Sequence, residues 1–160
     1  MKYALDTSVI VLALREQAEM APNQVPLWKK THAWLESLPA TTNIVFPAPA
    51  LGEVLYGLKD ASRVDAVIDQ VVRRFEVVPF DLEAARVFAE VAREYVGPQA
   101  RRTPDWRKHK VDLQIIAIAI RSGANRLVTE DKDQRNTATK WIQVTGIPDP
   151  PPRRLRLPGL

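Results

Sequence analysis

One stretch at the start of the chain constrains the rest: Met1-Lys-Tyr-Ala-Leu-Asp-Thr-Ser-Val-Ile10. Tyr3, Ala4 and Leu5 are apolar and short enough for one buried strand. Asp6 interrupts the run, Thr7 or Ser8 is suited to cap a helix, and Val9 to Leu14 continue it with apolar side chains. A carboxylate therefore stands where a strand hands over to a helix N-terminus. In an open sheet flanked by helices that handover lies at the carboxyl edge, where ligands bind. A plain N-cap accounts for the same aspartate, since Asp is a preferred capping residue. The first ten residues alone do not separate the two readings.

The remaining segments repeat the alternation of strand and helix. Residues 2–5 read as a strand and 8–17 as a helix, and Ala21-Pro-Asn-Gln-Val-Pro26 breaks the pattern. Residues 27–38 are helical, with Trp28, Leu35 and Leu38 on one side. A second strand at 43–46 precedes a helix at 50–59. Ser62 is expected to cap a further helix bearing Val64, Val67, Ile68, Val71 and Val72. A third strand at 75–80 leads to a long helix capped by Asp81. Residues 97–110 lack an apolar period and read as a basic loop. The helix at 111–120 is apolar almost all round, so it is expected to be buried, with Gly123 as its C-cap. Strands follow at 126–128 and 141–144. This order predicts a three-layer α/β/α sandwich around a mainly parallel sheet. One domain is expected over residues 1–146, with 147–160 a Pro/Arg-rich tail, extended or disordered.

The totals narrow the chemistry. The 160 residues suit a single domain, and 46% hydrophobic content is enough for a core. There is no cysteine, which excludes disulfides, thiol catalysis and zinc–thiolate sites. The two histidines, His32 and His109, are far apart in sequence, which argues against a histidine-rich metal site. The first apolar run contains Asp6, lacks a small-residue cleavage site, and falls well short of the ~20 residues of a membrane span. A soluble, cytoplasmic protein is expected. A net charge of +4 and a pI of about 9.6 permit a polyanionic partner without establishing one.

Three more carboxylate stretches stand at comparable places. Glu53 lies in the otherwise apolar Ala50-Leu-Gly-Glu-Val-Leu-Tyr-Gly57. Asp112 opens Asp-Leu-Gln-Ile-Ile-Ala-Ile-Ala-Ile120, and Asp131 and Asp133 follow the fourth strand in Leu127-Val-Thr-Glu-Asp-Lys-Asp133. In a parallel sheet these edges share one side, so the stretches are able to converge. Singly, Asp112 and Asp131 read equally as helix caps and Glu53 as a surface residue. Jointly the acids repel: carboxylates ~5 Å apart cost about 3 kcal/mol per pair at an effective dielectric near 20. Protonation relieves this, and a divalent cation relieves it better. Oxygen ligands of this kind suit Mg2+ or Mn2+.

With these residues in view, the chain resembles the PIN-domain ribonucleases. Asp6-Thr-Ser8, the Glu53 helix, Asp112-Leu-Gln-Ile-Ile-Ala and Val128-Thr-Glu-Asp-Lys-Asp133 are similar to that family's four signature blocks. Their order and spacing look most like the VapC-type toxins of bacterial toxin–antitoxin pairs, over roughly residues 1 to 145. The resemblance implies a metal-dependent endoribonuclease leaving a 5′-phosphate and a 3′-hydroxyl. It implies Asp6, Glu53, Asp112 and Asp131 as the acidic quartet, and Ser8 and Thr129 as polar residues that orient carboxylates. Asp133 is a possible fifth acid. It also implies a cognate antitoxin and a homodimer. The chain departs from the pattern at Gln134, where an aromatic often follows the last acidic block.

Other residues bear on substrate. Arg101, Arg102, Arg107, Lys108 and Lys110, with Trp106 among them, read as a phosphate-tracking patch with one stacking residue, or as a solvated loop. Trp28, Trp34 and Trp141 are expected in the core or an interface. Val9, Leu12, Leu14, Trp28, Trp34 and Leu35 suggest more apolar surface than the first two helices bury alone. Two rival functions are a PIN-like module that binds RNA or a partner without cutting, and a phosphoacceptor domain of the receiver type. The intact acidic set argues against the first, and the helix cap after the third strand against the second.

Overall fold

A computed structural model describes residues 1–100 and 106–151, with the side chains of 96–100 and 106–108 left aside. Five strands form one sheet in the order β3-β2-β1-β4-β5: β1 (Lys2–Leu5), β2 (Asn43–Pro47), β3 (Glu76–Val78), β4 (Arg126–Val128) and β5 (Gln143–Thr145). All four pairings are parallel. Between them run α1 (Thr7–Leu14), α2 (Val25–Ser37), α3 (Ala48–Tyr56), α4 (Val64–Arg74), α5 (Leu82–Ala100), α6 (Trp106–Arg121) and α7 (Lys132–Ala138). The chain steps outward from β1 to β2 and β3, then returns to β4 on the other side of β1. Because parallel crossovers are right-handed, the outward run covers one face and the return run the other, which yields three layers.

Burial follows from this layering. β1 is central, and Ala4 and Leu5 are fully enclosed, as are Val45 and Phe46 of β2 and Leu127 and Val128 of β4. α6 is apolar around its circumference because Leu113, Ile115, Ile116, Ile118 and Ala119 are all in the core. It ends as expected at Gly123, whose positive φ of 68° allows the Ala124 N–H to reach the Ala119 carbonyl at 3.0 Å and the Gly123 N–H that of Ile120.

Several boundaries differ from the sequence reading. α1 stops at Leu14 rather than 17, and β5 starts two residues late. The turn before α4 is capped by Asp60, which accepts from the Ser62 N–H at 2.9 Å, so Ser62 is the capped residue and not the cap. The expected basic loop 97–110 is largely helix: α5 continues to Ala100, and α6 begins at Trp106. Arg107, Lys108 and Lys110 are good helix formers, and α6 extends outward from its apolar anchor through them. Arg101 and Arg102 lie outside the described residues. Asp112 accordingly sits in the second turn of α6 rather than opening it. α7 has no apolar stripe, and forms because Asp131 caps it and Gln134, Thr137 and Ala138 are buried.

The apolar excess expected on the first helices is absent. Val9, Leu12, Leu14 and Trp34 are buried in the common core, and Trp28 and Leu35 pack against it. Trp34 meets Tyr3 edge-on at 5.4 Å, and the Trp28 indole donates to the Arg15 carbonyl at 2.8 Å. Ile147, at the expected start of the tail, is buried, and its N–H donates to Glu130. Residues 152–160 of that tail lie outside the described residues. Among the described residues no helix is long and apolar enough to cross a membrane.

Candidate active site

The strand order reverses direction between β1 and β4, and the carboxyl ends of strands at such a reversal are where open α/β sheets bind ligands. Leu5 is paired with Val128, so the next residues, Asp6 and Thr129, emerge side by side. The Asp6 N–H donates to the Val128 carbonyl at 3.0 Å and continues the ladder by one step.

Asp6 occupies the N-cap position of α1, yet its carboxylate does not cap the helix. Only its backbone carbonyl serves the helix, accepting from Val9 and Ile10. The side chain, 4% exposed, turns toward β4. Its Oδ2 accepts from the Thr129 hydroxyl at 2.8 Å and the Ser8 hydroxyl at 2.9 Å. Each hydroxyl also accepts from the backbone of the loop after β4: Thr129 from the Asp131 N–H at 3.0 Å, Ser8 from that of Glu130 at 3.2 Å. A buried carboxylate requires such partners. Here they also fix its orientation relative to the loop that carries Asp131.

Asp131 does act as a cap. Its Oδ1 accepts from the N–H groups of Asp133 and Gln134 at 2.7 and 3.1 Å. Its Oδ2 has no hydrogen-bond partner among the described residues. Glu53, exposed on α3, accepts from the Thr7 hydroxyl at 2.6 Å, a link that ties α3 to the first residue of α1. Asp112 approaches from α6, half-buried, with His109 Nδ1 at 3.8 Å from its Oδ2.

The electrostatics bind these groups into one set. Burial first, then repulsion from Asp6 and Asp131 and, least, from Glu53, together raise the Asp112 carboxyl to about 6 against the opposing pull of His109. Asp6, Glu53 and Asp131 therefore all lie within electrostatic reach of Asp112. Asp133 lines a groove with Tyr95 and His109.

Gln134, the departure noted in the sequence, has a place of its own. It is 1% exposed, and its Nε2 donates to the Asp112 backbone carbonyl at 3.3 Å, which couples α7 to α6 beside two of the acids. Its Oε1 is buried without a hydrogen-bond partner among the described residues. Thr7 and His109 were not singled out as site residues in the sequence. Thr7 read as a cap, and His109 lay in what read as a loop.

Among the described residues no three carboxylate or imidazole groups are close enough to hold an ion by themselves. Magnesium is commonly held by one or two carboxylates, with water and substrate phosphate completing its shell. The donors are carboxylate oxygens in a crowded anionic crevice, and they fit a hard divalent cation.

The loop carrying Thr129 and Asp131 is tightly seated. A Cβ at Gly146 would lie 2.9 Å from Glu130 Oε1 and 3.1 Å from Arg135 Nη2. Both atoms are engaged, Glu130 Oε1 with the Ile147 N–H and Arg135 Nη2 with the Thr129 carbonyl. Gly146→Ala is expected to lower unfolding free energy by about 1–3 kcal/mol, the cost of overpacking a filled site. Urea denaturation checks it, and an unchanged midpoint would show that the loop yields freely.

A parallel α/β sheet with four acids near its switch point is the arrangement to compare with known proteins. The chain belongs to the PIN domain family, whose model matches residues 3–140. Solved structures share the fold. VapBC2 from Rickettsia felis, bound to a DNA fragment from its promoter, is 22% identical with a TM-score of 0.63, covering 91% of this chain and 98% of that one. VapBC-1 from nontypeable Haemophilus influenzae is 17% identical with a TM-score of 0.61, covering 91% and 98%. VapC20 from Mycobacterium tuberculosis, described as a Sarcin-Ricin loop cleaving toxin, is 16% identical with a TM-score of 0.57, covering 84% and 93%. The comparison with curated proteins gave no match.

Proposed function

We propose that the chain is a metal-dependent endoribonuclease that hydrolyses RNA phosphodiester bonds, acting as the toxin of a toxin–antitoxin pair. The observation that carries this reading is the state of Asp6. A carboxylate at an N-cap position is released from capping and aimed by two hydroxyls into a crevice with Asp112 and Asp131. The structural likeness to VapC toxins supports the toxin assignment.

Asp6 and Asp112 would hold Mg2+ or Mn2+ centrally, and Glu53 and the free oxygen of Asp131 would complete the site through water. The ion would supply charge neutralisation at the scissile phosphate and activation of water at neutral pH. Ser8 and Thr129 hold Asp6 in one orientation, and Gln134 holds the backbone at Asp112. Arg107, Lys108 and Lys110, within about one and a half turns before Asp112 on α6, with Trp106 at its start, belong to the RNA-binding stretch in this reading, as do Arg101 and Arg102. The partners are a cognate antitoxin and a second copy of the chain, and the compartment is the cytoplasm.

The test is cleavage of single-stranded RNA by the purified chain with magnesium, with manganese, and with a chelator. Cleavage that appears with either metal and vanishes with chelator is expected. Binding of RNA without cleavage under any metal condition would favour the non-cleaving module instead.

A further inference from the structure

Beside the acidic crevice lies a groove of about 400 Å3 between α5, α6 and α7, lined by Tyr95, His109, Asp133, Asn136, Thr137 and Lys140. We infer that this groove is a nucleotide subsite, which receives the base and ribose of an RNA residue flanking the scissile phosphate. The inference rests on the ribonuclease reading for the identity of its ligand.

Its volume lies within the ~300–1,000 Å3 of small-molecule sites. The wall chemistry selects a base rather than a bare polyanion. Tyr95 and His109 pack edge to face, ring centroids 5.7 Å apart with planes at 66°, and so form a corner in which a flat ring stacks on one face and meets the edge of the other. Tyr95 keeps 36% of its surface exposed. Around that corner stand Asn136, both donor and acceptor, and the Asp133 carboxylate, an acceptor. Thr137 directs its hydroxyl to the Asp133 carbonyl at 2.9 Å, so it lines the wall without its donor. Lys140 is the cation among the six. A groove for phosphate alone would carry several cations and no carboxylate. Single-stranded RNA bases are held instead by aromatic stacking together with hydrogen bonds to their edges.

Position supports the same ligand. His109 belongs to both places: its ring lines the groove and its Nδ1 stands 3.8 Å from Asp112 Oδ2. A nucleotide seated against Tyr95 therefore has its backbone at the mouth of the acidic crevice. This also gives Asp133 a role apart from the quartet.

The test uses the full chain carrying Asp6→Asn, which removes cleavage from the measurement. The probes are the four nucleoside 5′-monophosphates, followed by amide signals in nuclear magnetic resonance, and a mixed-sequence single-stranded oligoribonucleotide, followed by fluorescence anisotropy. At least one monophosphate is expected to move the signals of Tyr95, Asn136 and Lys140. Tyr95→Ala is expected to weaken oligoribonucleotide binding about tenfold, the scale of one lost stacking contact, and Tyr95→Phe to restore it. Asn136→Ala is expected to weaken binding severalfold. Monophosphates that move no signal in the groove, or an unchanged affinity in Tyr95→Ala, would overturn the subsite. The two readings fail separately. A chain with Asp6 intact that cuts RNA while Tyr95→Ala binds normally retires the subsite alone. A chain that cuts nothing, yet binds monophosphates at Tyr95, retires the nuclease and keeps the groove as a nucleotide site.

Discussion

Asp112→Asn is expected to lower magnesium-dependent cleavage by at least about a hundredfold while making the metal-free protein more stable at neutral pH. Removal of a group that merely orients a ligand costs about 10–100-fold, so loss of a central ligand exceeds that. The opposite sign for stability follows from the raised carboxyl. In the folded chain Asp112 titrates at about 6, held up by burial and by Asp6 and Asp131. In the unfolded chain it titrates near 3.9. Between these values the folded state keeps a proton that the unfolded state has released. Stability from this group is therefore present below about pH 4 and declines as pH rises toward 6. Because Asp112 is only half-buried, solvent screening reduces the effect to about 1–2 kcal/mol. The gain from Asp112→Asn should appear at pH 7.5 and be absent at pH 4. Magnesium should close the gap by stabilising the parent chain alone. Equal gains at both pH values would show that Asp112 is not under electrostatic pressure, and full cleavage by the variant would remove it from the site.

The second large effect is expected at Thr129. Its hydroxyl is fully buried, donates to Asp6 and accepts from the Asp131 N–H. Thr129→Val keeps the shape and removes both bonds. A buried carboxylate loses one of its two hydroxyl donors, and a backbone N–H loses its acceptor. Hydrogen bonds to charged groups contribute about 1.5–3 kcal/mol, so a loss of about 2–3 kcal/mol in unfolding free energy is expected, with a Tm lower by roughly 5–10 °C. Cleavage should fall about 10–100-fold. Thr129→Ser, which keeps the hydroxyl, should restore most of both. A valine variant as stable and active as the parent would mean that Asp6 is oriented by other means.

Much of this architecture was legible in the residues. β1, β2 and β4 are short apolar runs between turn signals, and α6 is apolar on every side, so each element announced its burial. The start of α6 did not, because Arg107, Lys108 and Lys110 carry no apolar period and lie on helix beyond the core. α7 was hidden for a related reason. Lys132-Asp-Gln-Arg-Asn-Thr-Ala138 has almost no hydrophobic side, and its formation depends on the Asp131 cap and on burial of polar Gln134 and Thr137. At the site, residue type showed which acids converge but not how each is used. Asp6 and Asp131 both stand at N-cap positions, and only side-chain rotation makes one a cap and the other not. The groove at Tyr95 was invisible, because Asp133 alone of its residues stood in a motif and Tyr95, His109 and Asn136 come from three separate helices.

The bond between Thr129 and Asp6 spans 123 positions of the chain. It has a consequence for how the protein comes into being. Strand β1 emerges first during synthesis, but its neighbour β4 follows only when nearly the whole domain has been polymerised. Such long-range pairing forms late, because loop closure precedes any reward from contact. Until β4 docks, Asp6 has neither its Thr129 donor nor Asp131 beside it, and the crevice does not exist. A chain truncated before β4 therefore lacks both the Thr129 donor and the Asp131 loop that stand beside Asp6 in the finished fold.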